Sequence, residues 1–448
     1  MRKKLFLFLA LTLFFNGLEN HFPPAFAEDV YPLSLSGALQ IAQKQNVDVI
    51  VSNERVQQAI TRIRQARAPL LPQLSGAVSQ YRQTLNLATF GIDFPFLFSP
   101  FVGPFNVFDA RISLTQTLFD YSVIERLRAA KVGQQLSVAE AQKTRQDVLA
   151  LVANLWLDAK RAQDKVRLSQ ALVQQDEERL KIARSQLQLG IGTDLGVTQL
   201  EASLADSRSR LSESTTDAVE RRLDLTSALG MNAEKKISFQ NDAKLNLPKA
   251  PQKEITFYLL EHPEVLVAEK DLEEKRKERK AALAEYFPTI VGSANYGASG
   301  NSPGQNDEGT YAYGAKLSIP LYEGGLRRAK VQEAKSKIRA SEAQVTDTKK
   351  RTESKILSAE ESLKKATAMV KAAEAELIFS QKQFSIAQGR LHSGIGTSLE
   401  LTETRTQKVM AEDRANEALA TYQLAQVNLA HALGEIGQLI PAKEESGK

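Results

Sequence analysis

Cysteine is absent from the 448-residue chain. That excludes a disulfide framework, a thiolate metal site and a lipid anchor on an N-terminal cysteine. Histidine is scarce, and His21, His262, His392 and His431 show no metal-ligand spacing. No Ser-His-Asp order, phosphate loop or dinucleotide fingerprint occurs, and Gly324-Gly325 reads as a strand-to-helix junction. The expectation is therefore no catalysis, no cofactor and no resident metal. A strong charge of one sign is also missing. Residues 1–27 hold three basic side chains (Arg2, Lys3, Lys4) and one acid (Glu19), so their loss takes the net charge from +5 to +3. A balance so near neutral gives no footprint for nucleic acid. Beyond residue 27 there is no run of about 18 apolar residues, hence no transmembrane helix. Proline is absent from 105–247 and from 321–440. Without that breaker these tracts permit very long helices.

The first 27 residues read as a secretory signal peptide. Arg2, Lys3 and Lys4 form a basic start, Leu5 to Phe15 an apolar run, and Ala25-Phe26-Ala27 a small-x-small cleavage site. The apolar run is too short for an uncleaved anchor. The mature chain is expected to begin near Glu28. An exported protein without a spanning helix is periplasmic, secreted or a membrane β-barrel.

The remainder repeats itself. Gly190-Ile191-Gly192-Thr193 returns as Gly394-Ile395-Gly396-Thr397, and Ala228-Leu229-Gly230 as Ala432-Leu433-Gly434. Asn46-Val47-Asp48-Val49 corresponds to His262-Pro263-Glu264-Val265, and Leu71-Pro72 to Phe287-Pro288. One structural unit is duplicated. We place the first repeat at 28–255, the second at 256–437 and a tail at 438–448.

The proline-free tracts are rich in Ala, Leu, Gln, Glu, Lys and Arg, good helix formers all. A helix from about Ser122 to Leu189 would be on the order of 100 Å long, which suggests a coiled coil. Ile356, Leu363, Val370, Leu377, Phe384 and Leu391 recur by sevens, each of the first five followed three positions on by Ala359, Ala366, Ala373, Ser380 and Ala387. In the first repeat Val152, Ala159, Val166, Val173, Leu180 and Leu187 hold the same register, with Leu155, Ala162, Ser169, Asp176 and Ala183 beside them. Large residues at one seam position and small ones at the other let helices approach closely. Asp176 is the misfit. Each long helix should end at Gly190 or Gly394 in a left-handed cap. Thr397 with Glu400 forms a capping box at the next helix, whereas Gly196 leaves the first-repeat box incomplete. The expected unit is an antiparallel helical hairpin, about 122–229 in one repeat and about 326–433 in the other.

Before each hairpin, alternation by two predicts a pair of strands. Phe108, Ala110, Ile112, Leu114 and Leu118 face one way, and Asp109, Arg111, Ser113, Thr115 and Thr117 the other. Tyr311, Tyr313, Ala315, Leu317, Ile319 and Leu321 form a similar face. Weaker partner strands fall near 74–84 and 289–298. The pattern fits a membrane barrel, and a half-buried soluble sheet gives it too. Four strands cannot close a barrel alone, and open edges in lipid are not tolerated. Membrane insertion would therefore require oligomerisation, with three copies giving twelve strands. The loop 87–107 carries Phe90, Phe94, Phe96, Phe98, Phe101 and Phe105. It either dips into the outer leaflet, constricts a pore mouth, or packs on itself.

In this order, twice over and after a signal peptide, these pieces resemble the TolC-like outer-membrane efflux proteins. The resemblance rests on Leu35-Ser36-Gly37-Ala38-Leu39, Leu71-Pro72-Gln73, Phe287-Pro288-Thr289, Ile319-Pro320-Leu321-Tyr322-Glu323-Gly324-Gly325 and the two Gly-x-Gly-Thr tips. It implies a mainly α fold with a small β part: a homotrimer sharing a twelve-stranded transmembrane barrel above a long coiled-coil tube. An equatorial belt would take in Met231–Ile255 and the tail after Gly437. The location would be the outer membrane of a Gram-negative-type cell, and the function passive export through a tripartite efflux or type I secretion system. Partners would be outer-membrane lipid, a periplasmic adaptor and an inner-membrane transporter of the RND or ABC class. Family apertures are lined by acids just after the second tip, which here are Glu400 and Glu403; helix-start acids also have a plain dipole reason. The first-repeat counterpart falls at Gly196, and a basic lock residue of some relatives is replaced by Gly396. The tips, with Gly190, Ile191, Gly192, Thr193, Leu195, Gly394, Ile395, Gly396, Thr397 and Leu399, would dock the adaptor. The competing reading is a structural coiled-coil protein of the periplasm or cell surface without a pore, for which the strands have no use.

Overall fold

The computed structural model describes residues 31–91, 101–240, 250–251, 254–304 and 308–439. The expected signal peptide, part of the Phe-rich loop, part of the equatorial segment and most of the tail lie outside these residues. The first repeat runs β1 (Tyr31–Ser34), α1 (Leu35–Gln45), α2 (Val47–Arg67), β2 (Gln73–Asn86), β3 (Phe101–Asp120), α3 (Tyr121–Gln188), α4 (Asp194–Ala228) and β4 (Ile237–Gln240). The second runs α5 (Ile255–Glu261), α6 (Pro263–Ala284), β5 (Thr289–Gly300), β6 (Glu308–Ser318), α7 (Leu326–His392) and α8 (Ser398–Ala432).

The rods α3 and α7, of 68 and 67 residues, are each on the order of 100 Å long at 1.5 Å per residue. Toward the sheet, α2, α3, α6 and α7 pack side by side in that order; toward the tips the order is α4, α3, α8, α7. The chain is thus two rows of four helices joined end to end through α3 and α7. In α7 the small seam residues Ala366, Ala373, Ser380 and Ala387 are buried, while Val370, Leu377 and Phe384 are only half-buried. In α8 a second small series, Ala411, Ala418, Ala425 and Ala432, is buried at the same spacing. Toward its tip the α7–α8 hairpin therefore closes over small side chains, while nearer mid-length Ile356 and Leu363 are buried with Leu429 and Leu433.

The main core lies at mid-length. Leu33, Leu39, Leu149, Val152, Trp156, Leu225, Leu229, Ile237, Val427 and Ile436 form one buried cluster. There β1 pairs in parallel with β4. Trp156, 3 % exposed, donates from Nε1 to the Leu33 carbonyl at 3.2 Å and meets Phe239 edge-on. It thus packs against the β1–β4 belt as well as between helices. Each large aliphatic buried here contributes about 1.5–3 kcal/mol.

At the far end, β2, β3, β5 and β6 form one antiparallel sheet in that order. The register sorts its two faces. Leu74, Val78, Ala110, Ile112, Leu114, Ala294, Tyr296, Tyr311, Tyr313 and Leu317 lie on one face; Ser75, Ser79, Asp109, Arg111, Ser113, Thr115, Asn295, Ser299, Thr310 and Lys316 on the other. The apolar face is uncovered, with Leu74 at 73 %, Val78 at 75 % and Tyr313 at 83 % exposure. Two boundaries differ from the sequence reading. β3 starts at Phe101, inside the expected loop, because Phe101, Val102, Phe105 and Val107 pair with Asn86, Leu85, Gln83 and Tyr81. Pro104 is accommodated at the register shift between Gln83 and Leu85. β6 stops at Ser318 rather than continuing to Leu321, since Pro320 has no N–H to extend the ladder.

Candidate functional site

The tips are built by backbone chemistry. At the end of α3, Gly190 takes φ 72°, its N–H donates to the Leu187 carbonyl, and Ile191 N–H donates to the Gln186 carbonyl. At the end of α7, Gly394 (φ 74°), Leu391, Ile395 and Arg390 repeat the pattern. Both are Schellman turns, which use up the last carbonyls of each rod. The second glycine of each tip is required by space. A Cβ on Gly192 would lie 2.7 Å from Leu187 N, and one on Gly396 2.8 Å from Leu391 N. This explains why no basic side chain stands at 396.

The next helices start on threonine caps. Thr193 Oγ1 accepts from Gly196 N–H at 3.2 Å, and Thr397 Oγ1 from Glu400 N–H at 3.1 Å. Ile191, Leu195, Ile395 and Leu399 project at 75, 69, 74 and 68 % exposure. The two tips thus present four bare aliphatic side chains, which turn chemistry alone does not require. Glu400 is half-buried, and its carboxylate lies 3.4 Å from the Arg390 guanidinium across the tip. Glu403, one turn on, is exposed. The Arg390 pair is open to water and contributes little stability. His392 sits exposed in the last turn of α7.

Sequence reasoning missed a polar cluster one to two turns above these acids. The seam misfit Asp176 is buried and accepts hydrogen bonds from Ser203 Oγ and Ser207 Oγ of α4. It pairs with Arg179 at 3.6 Å. Arg179 in turn donates to Thr406 Oγ1 and the Thr402 carbonyl of α8, at 3.1 and 3.5 Å, and Gln175 Nε2 donates to Thr406 Oγ1 at 3.1 Å. Arg405 of α8 faces Glu178 of α3 at 4.0 Å. The cluster joins the first hairpin to the turn of α8 that carries Glu403. Its only trace in the sequence is an aspartate at a small seam position.

On the polar face of the sheet, Arg111 donates to Asp109, Asn295, Ser299 and Thr310, across three strands. Among the described residues no group of acids and histidines is arranged to hold a metal ion, and no helix is long and apolar enough to cross a membrane.

Comparison with known proteins agrees with this geometry. Residues 38–231 and 257–435 match the family described as outer membrane efflux protein. The chain is 22 % identical over 440 residues to outer membrane protein TolC of Salmonella enteritidis, covering 91 % of this chain and 85 % of that protein. It is 22 % identical over 353 residues to alkaline protease secretion protein AprF of Pseudomonas aeruginosa, covering 75 % and 72 %. The solved CmeC outer membrane channel of Campylobacter jejuni superposes with a TM-score of 0.76 at 18 % identity, over 90 % of this chain and 85 % of that one. The two matched stretches take in both repeats, and the chain belongs to the outer membrane efflux protein family.

Proposed function

We propose that three copies of this chain assemble into a passive export duct. Twelve strands, four from each copy, close a barrel in the outer membrane, and the helical hairpins form a periplasmic tube that narrows at the tips. The observation that carries this reading is the sheet. It leaves a broad apolar face uncovered and keeps β2 and β6 as unpaired edges. In lipid such edges must be satisfied, and closure through neighbouring copies does so. A stalk or spacer gains nothing from a two-faced sheet.

The bare aliphatic tips are the surface offered to a periplasmic adaptor. The chain has no nucleotide site in its sequence, so energy comes from an inner-membrane transporter of the RND or ABC class. Relatives are named for alkaline protease secretion and for pyoverdine export, which fits a shared exit whose cargo is chosen by the partner. Stacked rings of Glu400 and Glu403 at the narrow end favour cations over anions.

The test is extraction and conductance. The protein should require detergent, run as a trimer, and conduct ions in planar bilayers with cation preference. Glu400→Ala combined with Glu403→Ala should weaken that preference, and unchanged selectivity would remove the acidic-ring assignment. A water-soluble monomer without conductance would overturn the duct itself.

A further inference from the structure

Charge is spread unevenly along the molecule. Where the helices meet the sheet, residues 58–67, 121–131, 275–285 and 323–333 hold fourteen Lys and Arg against five Glu. That local excess of nine is larger than the +5 of the whole chain, so the remainder is net negative. These stretches reach about ten residues from the sheet-facing helix ends, or about 15 Å. Between them and the apolar strands stand uncovered aromatic and aliphatic side chains. Phe119, Tyr286, Phe287, Leu321 and Tyr322 are 41, 48, 50, 92 and 86 % exposed. Along the molecule the order is apolar sheet face, aromatic belt, basic helix ends. That is the order of a bilayer boundary, where aromatic rings sit at the interface and cations just beyond it meet lipid headgroups.

Helical periodicity divides the cations between the two sides of the helix wall. Arg62, Arg126, Glu274 and Glu278 line a groove between α2, α3 and α6. Two positions on from each, about 200° round its helix, stand Arg64, Arg128, Arg276 and Lys280. In α7, Arg328, Lys335 and Glu342 recur by sevens, and Glu342 pairs with Arg276 at 3.1 Å, which sets this line on the same side as Arg276. One side of the wall therefore mixes both signs, and the other is basic. On the basic side Arg128 is paired with the buried Glu125, and Arg276 with Glu342. Arg64, Lys280, Arg328 and Lys335 are exposed and have no ion-pair partner among the described residues.

We propose that this basic side is the outer surface of the duct and binds anionic phospholipid headgroups of the leaflet that faces the periplasm. The inference rests on the barrel reading above and adds the class of lipid. Two physical arguments turn the basic side outward. The inner surface of a three-copy cylinder is the smaller one, and crowding like charges there from every copy is costly, whereas the mixed-sign side carries its own compensation. Outside, the cations lie at headgroup depth, and each one near an anionic membrane surface adds to the attraction. Most of them are arginine, whose planar fork suits a phosphate. The attraction fades within a Debye length of about 8 Å, so only the sheet-proximal ends of the helices take part.

Native mass spectrometry of the detergent-purified protein, offered equal amounts of phosphatidylglycerol and phosphatidylethanolamine, tests the idea. The anionic lipid should be retained over the zwitterionic one by about fivefold or more, the factor that one well-placed cation supplies. Arg64→Gln, Lys280→Gln, Arg328→Gln and Lys335→Gln combined should bring the ratio close to one. Arg62→Gln with Arg126→Gln, on the groove side, should leave it unchanged. Equal retention of the two lipids by a wild-type trimer would overturn the proposal and leave the duct standing. So would a preference that survives the fourfold variant while its bilayer conductance shifts toward cations, since the basic side would then line the lumen. Loss of the preference in the groove variant would count against it equally. A wild-type protein that is a water-soluble monomer would remove the duct and this inference together. If the fourfold variant does not fold, the wild-type ratio decides.

Discussion

Asp176 shows how a single residue departs from its pattern for a reason. A carboxylate on a coiled-coil seam is costly unless it is paired and hydrogen-bonded, and here Ser203, Ser207 and Arg179 supply the partners. Asp176→Ala should destabilise the chain by about 1–3 kcal/mol, because it strands buried polar groups; chemical unfolding followed by circular dichroism measures it. The misfit was legible in the sequence. Its partners were not, since they lie on α4 and α8 and meet Asp176 only once the registers of two hairpins are set. A second case is Glu274. Burial pushes its carboxyl above the ordinary 4.5, with Glu278, Asp271 and Glu140 adding to the effect against Lys275. The charged form is thus disfavoured in the folded state, and the cost is borne above the ordinary value. Glu274→Gln should raise the melting temperature at pH 7.5, and the gain should shrink toward pH 4.

At the scale of elements, the absence of proline and the Gly-x-Gly-Thr turns made both hairpins readable in advance. What the heptads concealed was which seam position is covered inside one chain. Toward the second tip it is the small one, with Val370, Leu377 and Phe384 half-buried, whereas Ile356 and Leu363 nearer mid-length, and Val152, Val173 and Leu180 of α3, are buried large residues of the same seam. A heptad count weighs both positions alike, whereas packing depends on which face the partner helix meets. The all-alanine seam of α8 also escaped notice, because small residues stand out little from a helix that is rich in alanine throughout. Ala418→Leu should force α7 and α8 apart and cost about 1–3 kcal/mol, read as a lower unfolding midpoint. The strands were legible by alternation, but Phe101–Val107 carries Pro104 and breaks the alternation, and only pairing with β2 makes it strand. The sheet faces give a paired expectation. Leu114→Arg on the apolar face should cost about 2–4 kcal/mol in the membrane and reduce the folded, membrane-inserted fraction. Ser113→Arg, one residue away on the polar face, should insert normally in the same assay.

For the whole molecule, the family resemblance was carried by short pieces in a fixed order, each weak alone. The proposed trimer closure and the proposed roles of Glu400 and Glu403 depend on contacts between copies, which come from the meeting of three surfaces and not from the pattern of one chain. The sheet order β2-β3-β5-β6 has a consequence for biogenesis. Its central ladder stitches one repeat to the other: Arg111 reaches Asn295, 184 positions away, and α3 lies against α6. Neither half can complete its own wall. The amino-terminal strands must wait, with an open edge, until most of the polypeptide has been delivered, and closing so long a loop makes that encounter slow. The duplicated halves, though alike, thus share one wall, and a cut between them would leave β3 and β5 each short of a ladder partner.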